Sequence, residues 1–314
     1  MTMQPSELYR SRFEKWDSES WVRAKDRRAT PFAQERYFFS RSLSIFFQHP
    51  EVAVLPDDIA RSLLIYQLYL YLEFTVWLEL GPVNEVCNLV RKPEFLPWLP
   101  AKMKDDALKV YVDEGGHAEM CRELIVATTQ YTKITPIRVQ PAFITILDSV
   151  VSREDVLMHD LIKLFFVIIS ETLITGTLAQ LPRDVTLQEA VRSVVDDHAK
   201  DEGRHHAYFK QVFEFVWPKL PRAFQEKIGC LLPEMILAFL APDVRSIENI
   251  LGAFPTVFPD PARISTEISR DRGTLESIRN SASPTLRMLS LNHVFRIARV
   301  REAFLTCGLV PELS

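Results

Sequence analysis

Two acidic segments that carry histidines constrain the fold of this chain more than any other feature. The first contains Glu114 and His117, and the second contains His198, Glu202 and His205, so each includes the spacing Glu-x-x-His. On an α-helix, positions three and four apart share a face, and the three donors of the second segment fall within roughly 60° of arc. Each segment therefore predicts a helix that presents several ligands to a metal ion.

The remainder of the chain predicts long apolar helices. Hydrophobic residues make up 47% of the 314 residues, there are only 9 glycines, and no alternating strand pattern extends beyond a few residues. We therefore expect an all-α fold in which a four-helix bundle forms the core, at about 55–215, and additional helices flank it at 1–54 and 216–314. The length fits a single domain that spans 1–314.

The helix boundaries follow from prolines and capping residues. Within the core, helices are predicted at 57–90, 101–130, 143–181 and 186–216. The last of these begins with a predicted capping box in which Thr186 is the N-cap and Glu189 its partner. Outside the core, the sequence predicts a lead-in helix in 1–30, a short aromatic helix at 31–49, helices at 220–240 and 275–305, a loop at 254–262, and a C-cap at Gly308.

Two of the core helices carry a glutamate inside an apolar run. Glu171 lies within Val-Ile-Ile-Ser-Glu-Thr-Leu-Ile, where an unpaired carboxylate would be costly. If 57–90 and 101–130 form an antiparallel hairpin, Glu79 lies level with Glu114, whereas Glu73 lies nearly two turns away. We predict seven metal ligands that are themselves the catalytic groups: Glu79, Glu114, His117, Glu171, His198, Glu202 and His205.

The types of donor indicate which metal is bound. Mixed glutamate and histidine ligands suit non-haem iron better than zinc or magnesium. Other polar residues near the two segments are expected to be solvated or to support the ligands, namely Asp113, Glu119, Asp197, Asp201 and His206. His49 and His159 stand alone in the sequence and are expected to be structural.

Composition excludes several classes of protein. The net charge of −4 and the scattered basic residues give no electrostatic surface for nucleic acid. The first residues lack the layout of a signal peptide, and no charge-free apolar run is long enough to span a membrane. The four cysteines form no Cys-x-x-Cys pair, which argues against a zinc knuckle or a disulfide framework. We expect a cytoplasmic protein without a nucleic-acid or membrane partner.

The order of the predicted ligands resembles the p-aminobenzoate N-oxygenase family of dinuclear iron oxygenases. The distinguishing residue is His198, one turn before the final Glu-x-x-His, because typical ferritin-like sites have two histidines and this family has a third. The segment from Leu78 to Asn84 is also similar to the family's first ligand region. The resemblance covers residues 55–215.

The resemblance implies a fold and a reaction. It implies a ferritin-like core, two iron ions, and an enzyme of secondary metabolism that uses O2 to oxidise an amine to a hydroxylamine, nitroso or nitro product. The amine would be an arylamine or amino-acid amine, free or attached to a carrier protein. Electrons would come from a separate reductase or ferredoxin, since the chain has no Gly-x-Gly-x-x-Gly and no clustered cysteines. Related proteins form homodimers, and the same is expected of this chain.

Two residues are candidates for contact with the substrate. Tyr71 lies two helical turns before Glu79 and would project into a cavity beside the iron pair. Arg296, with Arg287 as second choice, would bind a substrate carboxylate, because a guanidinium group binds carboxylates through two parallel hydrogen bonds.

Two other functions remain open from the sequence. The same iron pair could oxygenate or desaturate carbon, and a ferritin-like protein could buffer iron without any organic substrate. The chain has about a hundred residues beyond the four-helix core, which favours an enzyme that encloses a pocket over a protein that stores iron.

Overall fold

A computed structural model describes residues 9–24, 31–173 and 175–310. Within these ranges the regular structure is helical, apart from an isolated β-bridge between Tyr37 and Leu187. The all-α prediction is confirmed. The α-helices are α1 (Trp16–Glu19), α2 (Trp21–Ala24), α3 (Pro50–Ala53), α4 (Asp57–Leu78), α5 (Asn84–Val90), α6 (Ala101–Thr132), α7 (Ala142–Ser152), α8 (Val156–Leu173), α9 (Thr175–Gln180), α10 (Glu189–Val216), α11 (Arg222–Leu240), α12 (Val244–Gly252), α13 (Pro261–Arg270), α14 (Arg272–Leu291) and α15 (Ala298–Thr306).

Four long helices form the centre of the molecule. Helix α4 packs against α6, α8 packs against α10, and α6 joins the two pairs by its contact with α10. Two stretches, Asp57–Val90 and Val156–Arg183, are long and apolar enough to cross a membrane by composition alone. In the second stretch 86% of the most apolar 18-residue segment is buried inside the protein, as expected for a helix in the core of a soluble protein.

The predicted helix at 57–90 is interrupted at the position of Glu79. Helix α4 ends at Leu78, a π-helical turn covers Glu79–Val83, and α5 continues from Asn84. Within the turn Gly81 has a non-helical backbone, with φ of −93° and ψ of −108°. Pro82 explains the break, since proline has no N–H group to donate and its ring clashes with the preceding turn. Single π turns are common at functional sites.

The second predicted pair of helices also differs in detail. The stretch 143–181 divides after Ser152, and α8 begins where the Asp155 carboxylate accepts a 2.9 Å hydrogen bond from the Leu157 N–H. The predicted capping box is wrong. Helix α10 begins at Glu189 without a side-chain cap, and the Thr186 hydroxyl instead donates to Asp184 at 2.6 Å.

The short aromatic helix predicted at 31–49 is wrong for most of its length. Tyr37 is extended, because its N–H donates to the Thr186 carbonyl at 3.0 Å and its carbonyl accepts from the Gln188 N–H at 2.8 Å. A 3₁₀ turn is present only at Phe46–Gln48, and Pro50 begins α3. Pairing with the segment before α10 therefore outweighs the local helical pattern.

The C-terminal third contains more helices than predicted. Helices α12 and α13 lie on either side of the predicted loop at 254–262 and were not predicted, and the helix predicted at 275–305 divides into α14 and α15. The division lies at His293, whose φ of 60° is left-handed. The C-cap of α15 is Cys307, and the predicted cap Gly308 lies one residue later with a left-handed φ of 73°.

An N-terminal arm, residues 9–24, packs on α6 and α10. It contains two short helices instead of the single lead-in helix predicted, and the parts of that prediction at 1–8 and 25–30 lie outside the described residues. Phe13 is buried and its ring stacks 6.1 Å from that of His205. The Tyr9 hydroxyl donates to the buried Asp106 carboxylate at 2.8 Å. The arm therefore covers the face of the bundle that carries the predicted ligands.

Candidate metal centre

Six of the seven predicted ligands meet in the middle of the four-helix bundle. They form two groups in which one donor atom from each residue lies within 4.8 Å of the others. His117 and Glu202 belong to both groups, and all six side chains are buried. The first group is Glu79, His117, His198 and Glu202, and the second is Glu114, His117, Glu202 and His205.

Glu202 lies at the centre of these contacts. Its Oε1 atom is 3.1 Å from Nε2 of His198, 3.2 Å from Nδ1 of His205 and 3.5 Å from Nδ1 of His117. On the side of the π turn, Oε1 of Glu79 lies 3.0 Å from Nε2 of His198. One carboxylate from α10 thus contacts all three histidines.

Glu114 bridges two histidines in a similar way. Its Oε2 atom lies 3.2 Å from Nδ1 of His117, and its Oε1 atom lies 3.0 Å from Nδ1 of His205. These contacts join α6 to α10, as the shared helix face predicts. Glu114 and Glu202 therefore occupy equivalent positions in the two Glu-x-x-His segments.

Glu171 is buried beside these residues but belongs to neither group. Burial raises the pKa of its carboxyl well above the usual range, and the negative charges of Glu202 and Glu114 add to that shift. The Glu171 carboxyl is therefore close enough to Glu202 and Glu114 for their charges to affect its protonation.

The unpaired oxygen atoms of the cluster fit a cation. Oε2 of Glu79, Oε2 of Glu171 and Oε2 of Glu202 are buried and have no hydrogen-bond partner. A buried carboxylate oxygen without a partner is costly, and metal coordination removes that cost. Four ionised glutamates also carry the four negative charges that two ferrous ions would balance. The donor set therefore fits a pair of iron ions.

An aspartate supports the far nitrogen of each of two histidines. Nε2 of His117 lies 3.1 Å from Oδ2 of Asp201, and Nε2 of His205 lies 3.2 Å from Oδ2 of Asp113. Both aspartates are fully buried. Such contacts fix the tautomer and leave Nδ1 of each ring to face the carboxylate cluster. Asp113 and Asp201 thus hold two of the predicted ligands in place.

The N-terminal arm supplies partners that the sequence analysis missed. Asp113 accepts hydrogen bonds from the Trp16 indole N–H at 2.8 Å and from the Ser20 hydroxyl at 2.5 Å. Asp201 accepts from the Trp21 backbone N–H at 3.2 Å. No spacing rule connects residues more than 90 positions apart, so the sequence held no signal for these contacts.

Protonation in the cluster follows burial and charge. Burial raises the pKa of the Glu79 carboxyl to about 7, although His198 acts against the shift. Burial and the nearby His117 disfavour protonation of His198, but the carboxylates of Glu79 and Glu202 outweigh them and raise its pKa to about 9. Metal binding must therefore displace protons from these two residues.

The remaining histidines lie outside the ligand groups. His49 contacts Glu267, with 2.8 Å between Nε2 and Oε2, and Nε2 of His159 lies 3.0 Å from the Glu154 carbonyl. His206 is partly buried, and burial lowers its pKa. These positions agree with the structural or supporting roles expected from the sequence.

A cavity of about 370 Å³ lies next to the cluster. Its lining includes Tyr71 and Thr75 of α4 and Leu173 of α8; Thr75 precedes Glu79 by one turn, and Leu173 follows Glu171 by two residues. The Tyr71 hydroxyl is buried and has no hydrogen-bond partner. Burial raises the pKa of Tyr71 well above its usual value, and the charges of Glu79 and Glu202 contribute. None of the seven predicted ligands lines the cavity, but its lining comes within one helical turn of Glu79 and within two residues of Glu171.

The predicted arginines lie elsewhere. Arg296, in the short 3₁₀ turn before α15, and Arg287, on α14, are both exposed, and neither lines the cavity. Glu73, the weaker ligand candidate, lines the cavity and is ion-paired to Arg122, with 2.7 Å between Oε1 and Nη1.

Comparison with known protein families gives one finding for this chain. A family model described as "P-aminobenzoate N-oxygenase AurF" matches residues 9–291. No curated protein matches the chain. Enzymes of this family are oxygen-dependent diiron N-oxygenases with a ferritin-like helical fold, which agrees with the bundle and the buried cluster. Because the match covers nine-tenths of its length, the chain belongs to the p-aminobenzoate N-oxygenase family.

Proposed function

We propose that this diiron N-oxygenase oxidises an arylamine that enters the cavity beside Tyr71. The observation that supports this most strongly is the position of the cavity. Its lining reaches within one helical turn of Glu79, which belongs to the buried cluster of six proposed ligands. A mostly apolar cavity with a few polar groups at its inner end is typical of small-molecule sites.

We propose all seven predicted residues as ligands of two iron ions. Glu79 and His198 would serve one ion and Glu114 and His205 the other, with His117 and Glu202 contacting both groups and Glu171 completing the set. When bound, the iron pair supplies the redox chemistry with O2. The residues of the chain position it and exclude water from it, since Glu79, Glu171 and Glu202 are almost wholly buried.

The overall reaction requires two electrons from outside the chain. An amine, O2, two electrons and two protons give a hydroxylamine and water, in which one oxygen atom enters the new N–O bond and the other leaves as water. The four cysteines are all free thiols and form no cluster, so we propose a separate reductase or ferredoxin as the donor. Further cycles would give nitroso and nitro products.

The arylamine is proposed because aromatic side chains line the cavity. The Phe74 ring lies 4.7 Å from that of Phe143 and 5.3 Å from that of Phe239, both in edge-to-face geometry. All three residues line the cavity, and such rings favour an aromatic guest. An amino-acid amine or a carrier-bound amine would be less well matched to this lining.

Tyr71 is proposed to contact the substrate. Its hydroxyl stays protonated because burial raises its pKa, and it has no partner in the protein, so it is a donor available to a ligand. Tyr71→Phe should weaken arylamine binding and leave the iron content unchanged. Loss of iron from this variant would show that the hydroxyl serves the metal cluster instead.

The function is tested by an assay of the product. The protein is loaded with ferrous iron without oxygen, mixed with arylamines and amino-acid amines, and exposed to O2 in the presence of a chemical reductant. We expect an arylamine product whose mass has increased by one oxygen atom, with the oxygen on nitrogen, and no product from Glu202→Ala. Oxygen found on carbon would favour the hydroxylase alternative, and no product from any amine would contradict the proposal.

Three further properties are proposed from the family resemblance and the sequence. We propose a cytoplasmic location, a homodimer, and a role in secondary metabolism. Size-exclusion chromatography with light scattering tests the second of these directly.

A further inference from the structure

We propose that the substrate is an arylamine without an ionised substituent. This inference rests on the proposed function and narrows its substrate class. It rests on the charged side chains of the cavity. None of them is available to neutralise an anionic or a cationic substituent of a substrate.

The lining carries two acidic residues and no basic one, as far as the described residues show. Glu73 and Asp243 are the charged members of the lining. Arg138 follows the lining residue Ile137 in sequence, but it is exposed and is not itself part of the lining. An anionic ligand in this cavity would thus meet two carboxylates and no countercharge.

Glu73 is already neutralised by the protein. Its Oε1 atom lies 2.7 Å from Nη1 of Arg122, which is half-exposed and lies outside the lining. The ion pair leaves no strong negative charge for a cationic substrate. Arg122 in turn is held by this contact and is not directed to a ligand in the cavity.

The carboxylate of Asp243 occupies the part of the cavity that would otherwise attract an anion. The N-termini of α7 and α12 both meet at the cavity, and helix N-termini attract negative charge. The Asp243 carboxylate accepts hydrogen bonds from the Ser246 N–H at 3.0 Å, the Ser246 hydroxyl at 2.8 Å and the Ala142 N–H at 3.0 Å. A substrate carboxylate near these helix ends would compete with a negative side chain that is already bound there.

A neutral aromatic ring is the guest that this lining favours. Burying an ion without a partner is far more costly than burying a neutral polar group. The aromatic residues around the cavity, among them Phe74, Phe143 and Phe239, give a neutral ring favourable contacts. An aniline with a neutral amide or ester in the para position should therefore bind better than p-aminobenzoate, the compound after which the family is named.

The test compares two ligands of nearly the same shape. p-Aminobenzoate carries a carboxylate where p-aminobenzamide carries a neutral amide. Their binding to iron-loaded protein is measured by calorimetry without oxygen or reductant, so that turnover plays no part. We expect p-aminobenzamide to bind at least about tenfold more tightly. Equal or tighter binding of p-aminobenzoate would overturn the inference.

A pair of variants tests the role of Asp243. Asp243→Asn keeps a good helix cap but removes the negative charge from the two helix ends. It should improve p-aminobenzoate binding about threefold or more and leave p-aminobenzamide binding nearly unchanged. Asp260→Asn is the matched control, because Asp260 caps α13 by accepting from the Arg263 N–H at 3.0 Å and does not line this cavity. An equal effect of both substitutions would contradict the role proposed for Asp243.

The outcomes separate this inference from the proposed function. If the enzyme oxygenates p-aminobenzoate and prefers it to the amide, the inference fails and N-oxygenation stands. If the amide binds preferentially but no amine is oxygenated, the preference of the cavity stands and the proposed function fails. If neither compound binds, the inference fails and the product assay still decides the function.

Discussion

The segments 113–117 on α6 and 201–205 on α10 share the sequence Asp-Glu-x-x-His, and they support one another. The aspartate of each contacts the histidine of the other, at 3.1 Å for Asp201 with His117 and 3.2 Å for Asp113 with His205. This reciprocal arrangement relates the two halves of the cluster by an approximate twofold symmetry. The surroundings of the two segments do not share that symmetry.

The two segments differ at the residue immediately before the histidine. In the α6 segment Gly116 faces the N-terminal arm, and a Cβ atom there would lie 2.1 Å from Cγ1 of Val22. The equivalent residue on α10 is Arg204, which forms an ion pair with Asp201 in its own segment. Packing against the arm thus stabilises the α6 segment, whereas the ion pair between Arg204 and Asp201 helps to stabilise the α10 segment. The same arrangement of ligands can be held by two different kinds of support.

The largest difference between the two segments is expected in how much iron is lost when the glutamate of each is replaced. Glu202 belongs to both ligand groups, whereas Glu114 belongs to one. Glu202→Ala should therefore lose both iron ions, and Glu114→Ala should keep the group made by Glu79, His117, His198 and Glu202. Iron per chain, measured after anaerobic loading and desalting, checks this difference. Equal iron content in the two variants would show that the segments are equivalent after all.

A second asymmetry is His198, which takes the place that Val110 has on α6, four residues before the glutamate. Its pKa in the folded protein is about 9, above the usual value near 6.5, and that of Glu79 is about 7, also raised. Groups with raised pKa values stabilise the fold below the unfolded pKa and lose this contribution as the pH rises through the folded one.

The metal-free protein should therefore lose stability between about pH 5 and pH 9. The loss is on the order of 3 kcal/mol for each of the two residues, or about 7 kcal/mol for both, since each unit of pKa shift corresponds to about 1.4 kcal/mol. His198→Val should reduce the slope. Chemical denaturation of metal-free protein across this range is the measurement, and a metal-free protein that becomes more stable with rising pH would contradict these protonation states of His198 and Glu79.

The two supporting aspartates should matter about equally. Asp113→Asn and Asp201→Asn each remove the negative charge next to the imidazole of a proposed ligand, and such changes should weaken metal binding by about 10–100-fold. Asp196→Asn is the control, since Asp196 is half-exposed on α10 and pairs with Lys200. Ferrous affinity by anaerobic titration distinguishes them. If only one of the two buried aspartates affects affinity, the reciprocal support of the two segments is wrong.

The smallest expected effect concerns the paired glycines of the α6 segment. Gly116→Ala should destabilise the protein by about 1–2 kcal/mol, because its methyl group would collide with Val22. Gly115→Ala, where a Cβ atom meets nothing within 4 Å, should stabilise the helix by about 0.5–1 kcal/mol. Thermal unfolding compares the two. Gly203→Ala, at the equivalent of Gly115 on α10, should behave like Gly115→Ala.

The convergence of the side chains on the two Asp-Glu-x-x-His segments was predictable because helical spacing alone fixes which side chains share a face. Glu79 was placed by counting back from the hairpin turn, and its Oε1 atom does lie 3.0 Å from Nε2 of His198, another of the predicted ligands. The π turn at Pro82 was not foreseen, although proline inside an apolar helix is a local signal. The structure places Glu171 near the cluster, but its role in binding stays a prediction.

Other features could not be predicted because they depend on distant contacts. The bonds from Trp16 and Ser20 to Asp113 join residues that are more than 90 positions apart. The extended backbone at Tyr37 depends on its pairing with Thr186 and Gln188, which local propensity does not include. The left-handed backbone at His293 ends the predicted helix, so that Arg296 lies in a 3₁₀ turn, and Arg296 does not line the cavity.

Anaerobic titration with ferrous iron, followed by desalting and iron analysis, tests the central claim most directly. The account predicts two iron ions per chain in the native protein and almost none in Glu202→Ala. Absence of tight binding, or many iron ions per chain as in an iron-buffering protein, would contradict the assignment of this buried cluster as a diiron site.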